Sequence, residues 1–280
     1  MRGQSKEQIS LQSVNFTELT KSVNSVGNIH GNYIGKFRLM LKASRFTPDD
    51  KEVPFLLKHI VQVYLIFIIQ LCYTGMVSWY MYSHPALLIK IMKFFLSAHG
   101  LFMIAGYIGL VILLFFAQIV NSLPLGIIAI IGITTVIGIP LGIIPIVYNS
   151  DIILEALILT GSIYIGSAMF GILTKNNLTG WGTPLFGGLL ALIILGFFQY
   201  HFHNSFLNFT ILVADILIFT LYTAYDNQMM KIRFLDKLRD DIPDTGKSWL
   251  LLAISSSLDI YLDFVNLFLD ILSLLGDDDD

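Results

Sequence analysis

The sequence predicts an all-α integral membrane protein with seven transmembrane helices, and three observations carry that expectation. First, 55% of the 280 residues are hydrophobic and only 13% are charged, about half the charged share of an ordinary soluble domain. Second, the charges are clustered. Between Ile60 and Thr174 the only bases are Lys90 and Lys93, and the only acids are Asp151 and Glu155. Third, the uncharged runs between them are long enough to cross a hydrocarbon core of roughly 30 Å.

Residues 1–54 read as a polar cytoplasmic tail rich in Asn, Ser, Lys and Gly, with too few apolar residues to build a core. Such a polar start does not resemble a cleavable signal segment. The membrane domain covers 55–276, and an acidic end, 277–280, follows it. Spans are expected at 55–82, 94–119, 123–147, 152–174, 182–200, 206–230 and 249–275. The turns around Asn121–Ser122 and Asn149–Asp151 are so short that spans two, three and four should be antiparallel neighbours. Pro140 and Pro145 predict a bent or locally unwound third span. Small residues at Ser162 and Gly166, and again at Ser167 and Gly171, predict close helix packing by the fourth. The lone cysteine, Cys72, reads as a packing residue in an apolar run.

Basic residues set the orientation. Nine Lys or Arg precede Ile60, Lys175 follows the fourth span, and five lie between spans six and seven. All fifteen fall on one side if the spans alternate, with Lys90 and Lys93 on the other. The positive-inside rule then places the N-terminus in the cytoplasm. A complete seventh span would carry the C-terminus outside, and a re-entrant one would return it.

Acids within spans are the candidates for chemistry, because an ionised carboxylate in a bilayer costs at least ~2.5–3.5 kcal/mol. These are Glu155, Asp215, Asp226, Asp259, Asp263 and Asp270. Asp259, Asp263 and Asp270 fall at helical spacing on one face of the seventh span, with Asn266 in the same stripe. Asp215 and Asp226, eleven residues apart, share a face of the sixth. Two acidic stripes avoid lipid by facing each other or a water-filled path. His201 and His203 read as interfacial residues, and His99 as a polar group at a helix contact.

The stretch Tyr225-Asp226-Asn227-Gln228, a basic loop, and then Ser257-Leu258-Asp259-Ile260-Tyr261-Leu262-Asp263-Phe264 resemble the C-terminal signature of the Bax inhibitor-1 family. Leu154-Glu155-Ala156 and the turn Lys175-Asn176-Asn177-Leu178 are similar to it as well. The first three spans match only in hydropathy. The resemblance implies a bacterial-type member in the inner membrane, with helix 7 central and helices 1–6 around it. It also implies a calcium leak channel whose pH sensor is the pair Asp226 and Asp263, and those carboxylates as tentative calcium ligands. Asp215, Asp259, Asn266 and Glu155 are then candidates along the ion pathway. Two close carboxylates cannot both ionise cheaply, so they can share one proton, or release it and hold a cation through hard oxygens. The expected partners are lipid, calcium and protons; no nucleic acid, enzymatic reaction or obligatory cofactor is expected.

Two features depart from the family pattern. Its bacterial members can latch the closed form with a base near the end of helix 2, where this chain has Phe115-Phe116-Ala117-Gln118. Asp215 has no family counterpart. Depth also conflicts with the pairing. Counted from Lys231 and Lys247, Asp226 and Asp263 differ by about 16 Å at 1.5 Å per residue, and Asp215 matches Asp263 better. The family pattern selects Asp226, leaving Asp215 as an additional cation site. Two alternatives stand beside the leak. One is a proton-coupled cation transporter, although no inverted repeat is visible. The other is an intramembrane aspartyl protease, whose second aspartate would follow a Gly-x-Gly motif that Tyr261-Leu262-Asp263 lacks.

Overall fold

The computed structural model describes residues 48, 50–96, 100–202, 205–239 and 246–276, apart from the side chains within 95–107 and 200–204. Residues 1–47 and 49 of the expected tail and the acidic end lie outside the described residues, as do the side chains of His99, His201 and His203.

Among the described residues the structure is helical. In chain order the helices are α1 (Val53–Ser83), α2 (Pro85–Leu96), α3 (Gly100–Ile119), α4 (Leu123–Leu141), α5 (Ile144–Val147), α6 (Ser150–Leu173), α7 (Gly182–Phe202), α8 (Ser205–Arg239) and α9 (Gly246–Gly276). A single 3-10 turn covers Thr179–Trp181. Five segments are long and apolar enough to cross a membrane: Val53–Ser83, Leu123–Val147, Ser150–Leu173, Thr179–Gln199 and Ser205–Arg239.

Local chemistry explains the boundaries. α1 stops beside His84 because the following residue is Pro85, which disfavours helical backbone before it. Pro85 then opens α2, where its missing N–H costs nothing. Lys90 and Lys93, expected between the first two spans, lie together in α2, which is amphipathic and exposes both. Asn121 adopts φ 50° in the turn between α3 and α4, a backbone state that Asn tolerates better than most residues. Pro140 and Gly142 end α4, and the four-residue α5 resumes the direction. The third span is therefore broken, as its prolines predict.

α9 is the hub. It packs against α1, α3, α4, α6 and α8, while α7 leans chiefly on α8. Its buried residues, among them Leu251, Ile254, Leu258, Ile260, Tyr261, Val265 and Leu267, lie around the whole helix, the pattern of an element enclosed by others. Buried Leu56, Val63, Ala129 and Ile133 face it from α1 and α4. Interposing α9 also corrects one neighbour relation. α3 packs on α4 as expected, but α6 packs on α8 and α9 rather than on α4. The short turn between α5 and α6 does not make neighbours of the long helices, because each packs on α9 instead.

The outer surface is an apolar belt. Phe115, Ile158, Ile193 and Phe197 are each at least 60% exposed, an arrangement suited to lipid and not to water. Cys72 lies on this exposed surface. It is thus a lipid-facing residue and not the core-packing one expected from its apolar run. The small residues of α6 also divide. A Cβ on Gly166 would meet nothing within 4 Å, whereas one on Gly171 would lie 2.0 Å from the Ala224 carbonyl oxygen. Only Gly171 brings two backbones together, and it brings α6 against α8.

Candidate functional site

The site is the seam between α8 and α9, which run antiparallel through the short connection 240–245. α8 continues for eight residues past Lys231, to Arg239, roughly 12 Å of extra helix. No Gly or Pro interrupts the chain between Ser205 and Ile242. Apolar spacing persists through Met230, Phe234 and Leu235, all buried. This extension resolves the depth conflict, because Lys231 does not mark the helix end and Asp226 comes level with Asp263.

Four rungs follow from the basic end. Lys237 donates to the Ser248 hydroxyl, and its ammonium sits 4.9 Å from the centre of the Trp249 ring. Arg233 Nη1 donates to Asp259 Oδ2 at 2.6 Å. Next, the antiparallel register set by that ion pair brings Asp226 and Asp263 to the same level of the seam. Farther along, the same register carries Asp215 toward the level of Asp270. The seam therefore passes from paired bases to a carboxyl pair and then to two more acids.

Asp263 is only 4% exposed, and its Oδ2 is buried without a donor among the described residues. A carboxyl group so placed is bonded only if its partner carboxyl carries a proton, or if a cation lies between them. That is the chemistry the arrangement permits: one proton shared by two acids, exchangeable for a hard cation. The Arg233–Asp259 ion pair lies close enough to act on Asp226 electrostatically.

The surrounding polar groups hold the seam in place. Tyr64 on α1 donates to Asn227 Oδ1 at 2.6 Å, and Asn227 Nδ2 donates to the Thr223 carbonyl at 2.8 Å. Gln228 reaches the turn after α6, accepting from Leu178 N at 2.7 Å and donating to the Asn176 carbonyl at 2.9 Å. Lys231, with no exposed surface, donates to the Ile172 carbonyl at 2.7 Å, where the last turn of α6 presents its negative dipole end. On the other flank, Phe67, Tyr164 and Phe264 form a mutual aromatic cluster with centroids 5.4–5.7 Å apart.

The structure thus brings Asp226, Asp263 and Asp259 together and sets Asp215 opposite Asp270. Two expected members lie elsewhere. Glu155 is exposed on the outside of α6 and does not join the seam, because the α6 face that packs inward carries Ala156, Thr160 and Tyr164. Asn266 lines a cavity beside α4 and α5, at the margin of the acidic stripe. Among the described residues no group of three or more His, Cys, Asp or Glu is placed to hold a metal ion. A cation at Asp226 and Asp263 would need water or backbone oxygens to complete its shell. The residues missed in the sequence were Arg233 and Lys231, counted there as loop charges. The unbroken apolar spacing after Lys231 was the signal that they belong to the helix.

Comparison with known proteins agrees with this layout. The chain is 35% identical over 130 residues to an uncharacterized protein of Borreliella burgdorferi, covering 46% of this chain and 54% of that protein. It is 26% identical over 132 residues to an uncharacterized membrane protein of Streptococcus pyogenes serotype M3, covering 47% and 55%. These two matches span about half the length of each relative. The match to the inner membrane protein YbhL of Escherichia coli K12 is broader, 26% identical over 221 residues, with 78% of this chain and 91% of that protein. Such relatives, together with the apolar helices, fit a bacterial inner membrane. The family described as "Inhibitor of apoptosis-promoting Bax1" matches residues 56–280, and this chain therefore belongs to the Bax inhibitor-1 family.

Proposed function

We propose that this protein is a non-enzymatic, pH-sensitive calcium leak channel, gated where Asp226 on α8 meets Asp263 on α9. The observation that carries the reading is that Asp226 and Asp263 share one level of a seam where Asp263 Oδ2 is buried with no donor among the described residues. With one proton between them, the pair ties the helices together. Loss of that proton puts two negative charges side by side, which repel unless a cation enters between them. The Arg233–Asp259 ion pair supplies the neighbouring closure that the family's helix 2 base would otherwise provide. Seven spans with α9 in the middle complete the proposal. Three of the tight seam contacts, those of Tyr64, Gln228 and Lys231, lock α8 to α1, to the turn after α6 and to α6 itself, so movement at the pair falls on α9.

The test is calcium flux into proteoliposomes across a pH series. Asp226→Asn and Asp263→Asn are each expected to flatten the pH response, since each leaves only one titrating carboxyl at the rung. A pH response unchanged in both variants would refute the pair as sensor. Uphill calcium movement driven by an imposed proton gradient would replace the leak with coupled transport.

A further inference from the structure

The two prolines of the α4–α5 break do more than bend the chain. Pro140 has no N–H, so the Val136 carbonyl lacks the donor that an α-helix would supply four residues on; Pro145 deprives the Leu141 carbonyl in the same way. Hydrogen bonds across the break run from Gly142 to Ile139 at 3.2 Å, from Ile143 to Pro140 at 3.1 Å and from Tyr148 to Ile144 at 2.9 Å. None recorded there ends on Leu141. Inside a bilayer a carbonyl without a donor is costly, and non-helical backbone survives at that depth only where it faces protein or a watery cavity.

Both residues line a cavity of about 630 Å³ between α4, α5 and α9, bounded also by Tyr148, Asn266 and Ser273. The space has room for water, and in a mostly apolar lining the polar groups of Tyr148, Asn266 and Ser273 are the partners that could hold it. Tyr148 on the cavity wall also packs against Gly276, where a Cβ would come within 2.3 Å of the ring. Asn266 sits three residues after Asp263 and four before Asp270 on the same helix, so the cavity wall adjoins the acidic stripe.

We propose that this cavity is a hydrated vestibule that admits cations to the α9 acids from the end of the bundle away from the basic loop, its ligands being the Leu141 carbonyl and the Asn266 amide oxygen. Backbone carbonyls at broken helices hold cations and repel anions. The role as an ion path rests on the leak reading; the hydration and the preference for cations rest on the break alone.

The test uses thiol labelling in lipid nanodiscs, where both faces meet the buffer, in a Cys72→Ala background. Asn266→Cys and Ile137→Cys place a thiol on opposite walls of the cavity, and Ile158→Cys supplies a lipid-facing control that is 60% exposed. A cationic methanethiosulfonate is expected to modify at least one cavity thiol more than about tenfold faster than the control. It should also outpace an anionic methanethiosulfonate there, after each is normalised to its rate with a free thiol. Variants are scored only if they elute as the parent does, and the two walls guard against one substitution failing to fold. Control-like rates at both walls would overturn the vestibule, and equal normalised rates for the two reagents would overturn its preference for cations. Unreactive walls with intact pH-dependent flux sink the vestibule alone. Reactive walls in a protein that passes no calcium sink the leak and leave the vestibule standing.

Discussion

Gly171 offers the sharpest test of how the seam is held. A methyl group there would lie 2.0 Å from the Ala224 oxygen, 2.8 Å from its carbonyl carbon and 3.0 Å from its Cα. All three are backbone atoms of α8, so no side-chain rotation relieves the contact, and α6 and α8 must part by about 1.5 Å to restore a van der Waals separation near 3.5 Å. Overpacking of this kind costs roughly 1–3 kcal/mol. At roughly 2–4 °C per kcal/mol for a chain of this size, Gly171→Ala should lower the melting temperature by roughly 2–12 °C. Gly166→Ala is the matched control on the same helix, since its Cβ meets nothing within 4 Å and the change removes about 1 kcal/mol of glycine's helix penalty. Thermal unfolding of both variants in one detergent, followed by tryptophan fluorescence, gives the comparison. Because Ala224 precedes Asp226 by two residues, the parting should also weaken the carboxyl pair and shift the pH dependence of calcium flux. Equal melting temperatures for the two variants would refute the close approach of α6 and α8.

Three further outcomes are expected. Arg233→Asp and Asp259→Arg should each destabilise the protein, and the double exchange should recover most of the loss. The side chains are 37% and 34% exposed, so the coupling should be about 1 kcal/mol or less, read from a double-mutant cycle of melting temperatures. Gln228→Ala removes both bonds to the 176–178 turn and strands the Leu178 N–H, at a cost of about 1–3 kcal/mol; faster hydrogen exchange at Leu178 would report it, and unchanged exchange would exclude the clamp. Tyr64→Phe deletes the 2.6 Å bond to Asn227 with little change of shape, and should cost about 1 kcal/mol in thermal stability.

Much of this protein was legible in one dimension. A bilayer imposes length and apolarity on each crossing segment, so the charge-free runs from Ile60 to Thr174 located α1, α3, α4 and α6 to within a few residues, apart from the turn and helix near Pro85. Proline carries its own consequence, because a missing N–H breaks an α-helix in any environment, and Pro140 with Pro145 foretold the α4–α5 break. Helical period placed Asp259, Asp263 and Asp270 on one stripe, and the motif around Asp226 named the family.

What the sequence left open was which side chains meet, since period describes one helix and contact involves two. Depth counting set Asp215 against Asp263 because Lys231 looked like an interface charge. Tertiary packing buries Lys231 on the Ile172 carbonyl instead, which carries α8 onward, levels Asp226 with Asp263 and leaves Asp215 facing Asp270. Glu155 and Asn266 moved off the seam for the same reason, because each points where its helix's neighbours allow. Composition and spacing determined that acids fall within long apolar helices; only the antiparallel docking of α8 on α9 decided which of them share a rung.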